Sequence, residues 1–101
     1  MVGAGAFQLA PPAGARLVLL GTQGGPNYNA TRGEAANAVM VDGQPYLIDC
    51  GYGTLAALKK AGINHRQIAR IFLTHLHDDH TADLAALLNR QWTDGRVDPV
   101  T

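Results

Sequence analysis

The sequence lacks the features that mark several large classes of protein. Cys50 is the single cysteine among 101 residues, which excludes an internal disulfide and leaves an oxidising compartment without support. No apolar stretch approaches the roughly 20 residues of a membrane-spanning helix, so no membrane partner is expected. The opening fifteen residues also lack the basic start and unbroken apolar stretch of an intact signal peptide. A cytoplasmic location is slightly favoured, and a periplasmic one stays open if a signal peptide has been removed.

An excess of charge of either sign is also missing. Eight basic and eight acidic residues give a formal net charge of zero, and neither sign forms a run. Nucleic acid is therefore not indicated as a partner, and a polyanionic substrate would have to be held locally. Hydrophobic residues nevertheless make up 47% of the chain. This composition is typical of a small globular domain or a piece of a larger one.

Short apolar runs between turn residues predict a mixed α/β chain. Residues 1–15 are small and contain two prolines, and we interpret them as a flexible lead-in to a domain part at 16–101. Asp42-Gly43 between two apolar runs predicts a β-hairpin. Strands are expected at 16–20, 38–41, 46–48 and 70–73, and helices at about 54–61 and from about 81 to the Asp94-Gly95 pair.

Histidine and aspartate side chains are concentrated in one stretch, FLTHLHDDH, residues 72–80. It follows a predicted buried strand and precedes a predicted helix. His75 and His77 stand two apart on an extended segment, so both can point to one side and chelate one ion. Asp79 and His80 come after the chain begins to turn, and they could serve a second ion. The alternative is a solvated loop in which the histidines are accidental.

A pair of ions about 3.5–4 Å apart is a recurring hydrolytic arrangement. It acidifies a bridging water and clamps the attacking and leaving oxygens of the reaction. The carboxylates at this position would also be favoured by the partial positive charge of the helix N-terminus. Asp78 should point away from Asp79, and we expect it at the surface rather than at a metal.

The pattern HxHxDH at the end of a buried strand resembles the signature of the metallo-β-lactamase superfamily. IDCGYGT at 48–54 and LLGTQGGPN at 19–27 are similar to segments of its ribonuclease Z and arylsulfatase-like branch. The resemblance implies an α/β (α+β) fold, namely the N-terminal half of a four-layer αββα sandwich. It covers roughly residues 16–95.

By this resemblance, His75 and His77 would bind a first metal, and His80 and Asp79 a second. Two divalent ions are implied, with zinc as the expected metal. Asp79 would be catalytic as well, because it would orient the attacking water. Asp49 would accept hydrogen bonds that brace the histidine loop.

The resemblance further implies a metal-dependent hydrolase that uses a metal-bound hydroxide, with a small phosphodiester or sulfate ester as its substrate. Tyr52 and Asp78 stand where ribonuclease Z tends to have an acid and a glycine, which argues against transfer RNA processing. The family's remaining metal ligands would lie beyond Thr101. We therefore expect a missing C-terminal half or a partner chain, which includes a homo-oligomer. The alternative is a truncated, non-catalytic fragment that binds metal or pairs with a subunit.

Weaker signals lead to four further expectations. Cys50 and Trp92 should be core residues, and His65 should be exposed to solvent. Polar residues of the long Gly- and Asn-rich loop could contact substrate, although the ordinary polarity of an exposed loop explains them equally well; these are Asn27, Tyr28, Asn29 and Arg32.

Overall fold

The computed structural model describes residues 13–27 and 29–101. Residues 1–12 of the predicted lead-in, and Tyr28, lie outside the described residues. The elements of the described part are the strands β1 (Ala15–Gly21), β2 (Ala36–Val41), β3 (Gln44–Ile48) and β4 (Ile71–Phe72), the helices α1 (Thr54–Lys60), α2 (Asp78–Thr81) and α3 (Leu84–Thr93), and a 3-10 turn at His65–Gln67. None of the helices in this part of the chain is long and apolar enough to cross a membrane.

The strands form one sheet in the order β1-β2-β3-β4. The first three are antiparallel neighbours, whereas β4 runs parallel to β3. The hairpin predicted between β2 and β3 is confirmed. Asp42 and Gly43 turn it with φ of 50° and 84°, the left-handed conformation that tight hairpin turns require. The parallel pair matters for the site, because β3 and β4 end at the same edge of the sheet.

One face of the sheet carries the core. Alternate residues of β2 and β3, such as Ala38 and Leu47, point to this face and are fully buried. Leu58 from α1, Leu87 from α3 and Ile68 after the 3-10 turn pack against them in one cluster. The helices therefore cover this face, and hydrophobic burial here is the main force that holds the layers together.

The opposite face of the sheet is apolar and exposed. Leu17 and Leu19 of β1 are 62% and 64% exposed, and Phe72 of β4 is 53% exposed. Their partners across the sheet include Val39 and Ile48, which point the same way because side chains alternate along a strand. A contiguous apolar surface of this kind marks an interaction face rather than a solvated one.

Two predictions about burial were wrong. The strand expected at 70–73 is reduced to two residues, and Phe72 and Leu73 are exposed because no second layer packs on them in the described chain. Trp92, expected in the core, is 74% exposed. Gln91 is buried instead, and its Nε2 donates to the backbone oxygens of His65 at 2.8 Å and Ile68 at 2.7 Å.

His65 was also expected to be exposed, and this was wrong. Its Nε2 lies 2.7 Å from Asp94 Oδ2, with both side chains about 70% covered, at 28% and 30% exposure. Arg90 Nη2 adds a 3.1 Å contact to the same carboxylate. The hydrogen bond from His65 therefore holds the pKa of Asp94 below its usual value, and it ties the end of α3 to the 3-10 turn.

We expect the chain to self-associate through the uncovered sheet face. Replacing Leu17 and Leu19 together by lysine should shift it towards monomer, because each leucine contributes about 1.5–3 kcal/mol when it is buried and like charges repel. Sedimentation velocity over a wide range of protein concentrations measures this. Val97→Lys is the control, since Val97 is 92% exposed but lies outside the sheet. Equal association of the double variant and the unmodified chain would contradict the expectation.

Candidate metal centre

The histidine cluster lies where the sequence analysis placed it, between a strand and a helix N-terminus. β4 ends at Phe72, and α2 begins at Asp78, three residues earlier than the helix start expected at Thr81. His77 is the last extended residue before α2, with φ −65° and ψ 156°. Asp78 and Asp79 occupy the first turn of α2, where carboxylates are favoured.

The four predicted metal ligands come together as two pairs. Nε2 of His75 lies 2.5 Å from Nδ1 of His77, and the two rings meet edge-to-face with centroids 4.3 Å apart. Oδ2 of Asp79 lies 3.4 Å from Nε2 of His80. The rings of His75 and His80 are 5.2 Å apart, so the two pairs are neighbours. The three imidazole rings and the Asp79 carboxylate therefore lie close together.

Asp49 is the residue that holds this loop in place. It follows β3 directly and has φ of 64°, a left-handed conformation that Asp tolerates better than most residues. Its carboxylate accepts hydrogen bonds from the backbone N of Thr74 at 2.8 Å and from Thr74 Oγ1 at 2.6 Å. It also lies 2.9 Å from His80 Nδ1. The geometry agrees with the bracing role that the resemblance implied for Asp49.

These contacts change the acidity of both partners. Burial alone would raise the pKa of Asp49, but the hydrogen bonds from Thr74 and His80 outweigh it and lower the pKa. The hydrogen bond to Asp49 raises the pKa of His80. Because an ionised carboxylate only accepts hydrogen bonds, His80 Nδ1 must be the donor. The other ring nitrogen of His80, Nε2, is turned towards Asp79. In metal sites, the histidine nitrogen that does not bind the metal usually donates to a carboxylate, which is the position of Asp49 here.

Backbone bonds of Cys50 attach α2 to the end of β3. Cys50 N donates to His80 O at 2.7 Å, and Cys50 O accepts from Asp83 N at 3.0 Å. The side chain is fully buried, as expected for a core residue. Burial raises the pKa of its thiol to about 12, so Cys50 is neither a nucleophile nor a ready metal ligand.

A cleft of about 450 Å³ opens beside the cluster and is lined by Gly25, Pro26 and residues 75 and 77–80. Gly25 approaches Asp79 so closely that a Cβ at this position would overlap the Asp79 side chain. The long loop therefore borders the site through Gly25 and Pro26. Asn29 and Arg32, which were expected to contact substrate beside the cluster, instead line a different cavity.

Two residues that were not predicted as site residues support the histidine cluster. Thr74, immediately before the histidines, supplies two of the hydrogen bonds to Asp49. Gly51 packs so tightly that a Cβ there would overlap the backbone oxygen of Asp79. Both residues lie within stretches that the sequence had already singled out: FLTHLHDDH contains Thr74, and IDCGYGT contains Gly51.

The donor chemistry of the cluster fits a divalent ion that takes nitrogen and oxygen ligands. Imidazole and carboxylate are the usual ligands of zinc, and the His80 ring already has its Nδ1 anchored. However, among the described residues no group of three or more His, Cys, Asp or Glu side chains is close enough to hold an ion. An ion held by either pair would therefore need further donors.

Comparison with known proteins shows the family to which the chain belongs. Residues 31–100 match the family described as the metallo-beta-lactamase superfamily, which is more than half of the chain. The chain belongs to this superfamily. The predicted family and fold class are thereby confirmed.

Its similar relatives include several ribonucleases. Ribonuclease Z of Mycolicibacterium gilvum is 42% identical over 76 residues, which cover 75% of this chain and 26% of that protein. Ribonuclease Z of Salinibacter ruber is 46% identical over 67 residues, covering 66% and 21%. The chain thus spans only about a quarter of the length of these curated relatives.

Solved structures agree with the fold. The crystal structure of human tRNase Z, short form, has a TM-score of 0.73 at 36% identity and is matched over 83% of this chain and 31% of its own. The metallo-beta-lactamase fold protein YhfI from Bacillus subtilis has the same TM-score of 0.73 at 22% identity, with 81% and 33% covered, and supports the fold alone.

Replacing Asp49 by asparagine should lower the free energy of unfolding by about 1.5–3 kcal/mol, the typical contribution of a hydrogen bond to a charged group. Asparagine keeps the shape and tolerates the left-handed backbone, so the variant loses the charge and one of the two acceptor oxygens. Chemical denaturation followed by circular dichroism measures the change. Asp78→Asn is the matched control, because Asp78 is exposed and should change stability by less than about 0.5 kcal/mol. Equal losses in both variants would show that Asp49 does not brace the loop.

The Cys50 thiol should resist alkylation in the folded chain. With a pKa of about 12, only about one thiol in ten thousand is ionised at pH 8, and burial blocks the reagent. Iodoacetamide labelling followed by mass spectrometry should therefore be very slow in buffer and rapid in urea. Rapid labelling without denaturant would mean that the β3 end and α2 are not packed together.

Proposed function

We propose that this chain supplies the histidine-rich part of a metal-dependent hydrolase that cleaves phosphodiester bonds in RNA. The observation that carries the proposal is the orientation of His80, whose Nδ1 is held by Asp49 and whose Nε2 faces Asp79 beside the His75 and His77 pair. Superfamily membership supports the hydrolase. Relatives named ribonuclease Z and tRNase Z support RNA as the substrate class, in preference to the small esters that the sequence favoured.

Each residue would have a distinct part in the reaction. His75 and His77 would hold one divalent ion, and Asp79 and His80 would hold a second, with zinc as the expected metal. Bound ions of this kind acidify a water and stabilise the charge that develops on the phosphoryl oxygens. Asp79 would also orient the attacking water, and Asp49 would keep the His80 ring from rotating.

A sulfate ester is the alternative substrate within the same chemistry. It shares the tetrahedral centre and the charged oxygens of a phosphodiester, so the same ligands could serve it. RNA differs in carrying many phosphates, and its binding requires cations beyond the metal site. The substrate class is therefore testable separately from the metal.

A second candidate function follows from the partial ligand sets. Because no three donors converge within the described residues, the chain could act as a non-catalytic metal-binding or subunit-pairing component. It would then bind metal weakly and show no turnover. Further ligands from elsewhere, in the same polypeptide or in a partner, are what the enzyme proposal requires.

Metal content after dialysis against zinc, measured by plasma mass spectrometry, tests the site. His77→Asn should reduce zinc binding most strongly, and Asp49→Asn should reduce zinc affinity by about 10–100-fold, the usual effect of removing a group that orients a ligand. His65→Asn is the control, since His65 pairs with Asp94 away from the cluster. If His65→Asn lowers zinc binding as much as His77→Asn, the proposed site is wrong.

Chelator-sensitive cleavage by the chain together with the polypeptide segment or partner that supplies the further ligands tests the reaction. The substrates are a short RNA, an aryl phosphodiester and an aryl sulfate, each with and without EDTA. We expect EDTA-sensitive cleavage of the RNA and of the aryl phosphodiester. Cleavage of the sulfate alone would overturn the substrate class, and zinc binding without any turnover would favour the second candidate function.

A further inference from the structure

A second cavity, of about 460 Å³, opens between the loop at 29–33 and α1. Its described lining shares no residue with the cleft beside the histidines. The loop nevertheless connects the two, because Gly25 and Pro26 border the cleft and the residues from Asn29 to Gly33 border the cavity. A ligand long enough to follow the loop could therefore reach both.

The cavity is positively charged. Arg32 and Lys60 line it, and no Asp or Glu is present among its described lining residues. In the described part of the chain, neither cation forms an ion pair with a carboxylate, since all ion pairs there use other residues. In a protein of zero net charge, two uncompensated cations at one cavity create a local attraction for an anion.

Arg32 is held in position before any ligand arrives. Its Nε donates to Thr22 Oγ1 at 3.0 Å, and its Nη2 lies 3.3 Å from Thr22 O. Asn29 Oδ1 accepts from the backbone N and the Oγ1 of Thr31, both at 2.9 Å, which stabilises the turn that carries Arg32. A guanidinium has five N–H donors, so most of them remain for a ligand. Phosphate is the group that such a fork recognises best.

The remaining walls suit a nucleotide. Gly33, Gly53 and Ala57 leave room because their side chains are absent or small. Tyr52 lines the same space and is 46% exposed, so its ring offers a flat surface on which a base can stack. The volume lies within the usual range of about 300–1,000 Å³ for small-molecule sites. A phosphate alone would fill only part of it.

We propose that this cavity binds one nucleotide of an RNA strand whose cleaved bond lies at the histidine cluster. Arg32 and Lys60 contact its phosphate, and Tyr52 stacks against its base. The choice of RNA rests on the function proposed above, whereas the recognition of a phosphate rests on the cavity alone. A free mononucleotide shares the same chemistry, and the experiment distinguishes the two sources.

Fluorescence titration of the full chain in EDTA measures binding without hydrolysis. The probes are a labelled 5′-phosphorylated oligoribonucleotide and, as competitors, AMP and inorganic phosphate. Arg32→Gln and Lys60→Gln should each weaken RNA binding by about tenfold, the loss expected for a hydrogen bond to a charged group. Each should also reduce the slope of log affinity against log salt by about 0.7.

Lys59→Gln is the matched control, because Lys59 is an exposed neighbour of Lys60 on α1 that does not line the cavity. It should change RNA affinity by less than twofold. Tyr52→Leu should weaken RNA and AMP binding but leave competition by inorganic phosphate unchanged. Circular dichroism checks that each variant is folded, and Lys60→Gln on the exposed helix surface keeps the test valid if Arg32→Gln does not fold.

The proposal is overturned if Arg32→Gln and Lys60→Gln behave like Lys59→Gln, since the effect would then be general surface charge. It is also overturned if AMP competes as well as an unlabelled copy of the oligoribonucleotide, because the cavity would then be a mononucleotide site. Failure of the zinc and cleavage assays would remove the proposed catalysis but would leave this titration unaffected. The two outcomes are therefore separable.

Discussion

The architecture of the candidate site depends on one carboxylate, that of Asp49. It lies at the end of β3 and accepts hydrogen bonds from Thr74, which precedes the histidines, and from His80, the last of them. A single side chain therefore closes both ends of the loop that carries the cluster. Without it, the segment would lose the two hydrogen bonds that hold Thr74 at the end of β3.

The sheet explains how Asp49 comes to be there. Because β3 and β4 are parallel, with Ile48 opposite Phe72, the residues that follow both strands meet at one edge. The backbone then bonds across this edge, with Asp49 N donating to Phe72 O at 2.8 Å and Cys50 N to His80 O at 2.7 Å. Packing in the core holds β3 and β4 in place, and the residues at the common end of these strands position the imidazole rings. The geometry of the histidine cluster and the stability of this sheet edge thus depend on the same few residues.

Local features could be predicted from the sequence, and features made by distant contacts could not. The Asp-Gly hairpin and the histidine cluster are encoded by neighbouring residues, so spacing alone indicated them. The helical spacing of apolar residues predicted where α3 lies in the sequence, but not which of its faces packs against the core. Leu84, Leu87 and Leu88 fit an apolar stripe that includes Trp92, yet the protein buries Gln91, since the backbone oxygens of His65 and Ile68 accept its two amide hydrogens. The Arg32 and Lys60 cavity joins segments almost thirty positions apart, for which no short pattern exists.

The contact between Gly25 and Asp79 limits how this protein can be redesigned. Even the smallest side chain at position 25 would displace the carboxylate, so a mutagenesis library intended to reshape the entrance should leave this glycine unchanged. Pro26 lines the same cleft, as do residues 75 and 77–80. One wall of the entrance is therefore set by the absence of a side chain, and a change of selectivity would have to be engineered elsewhere in the cleft.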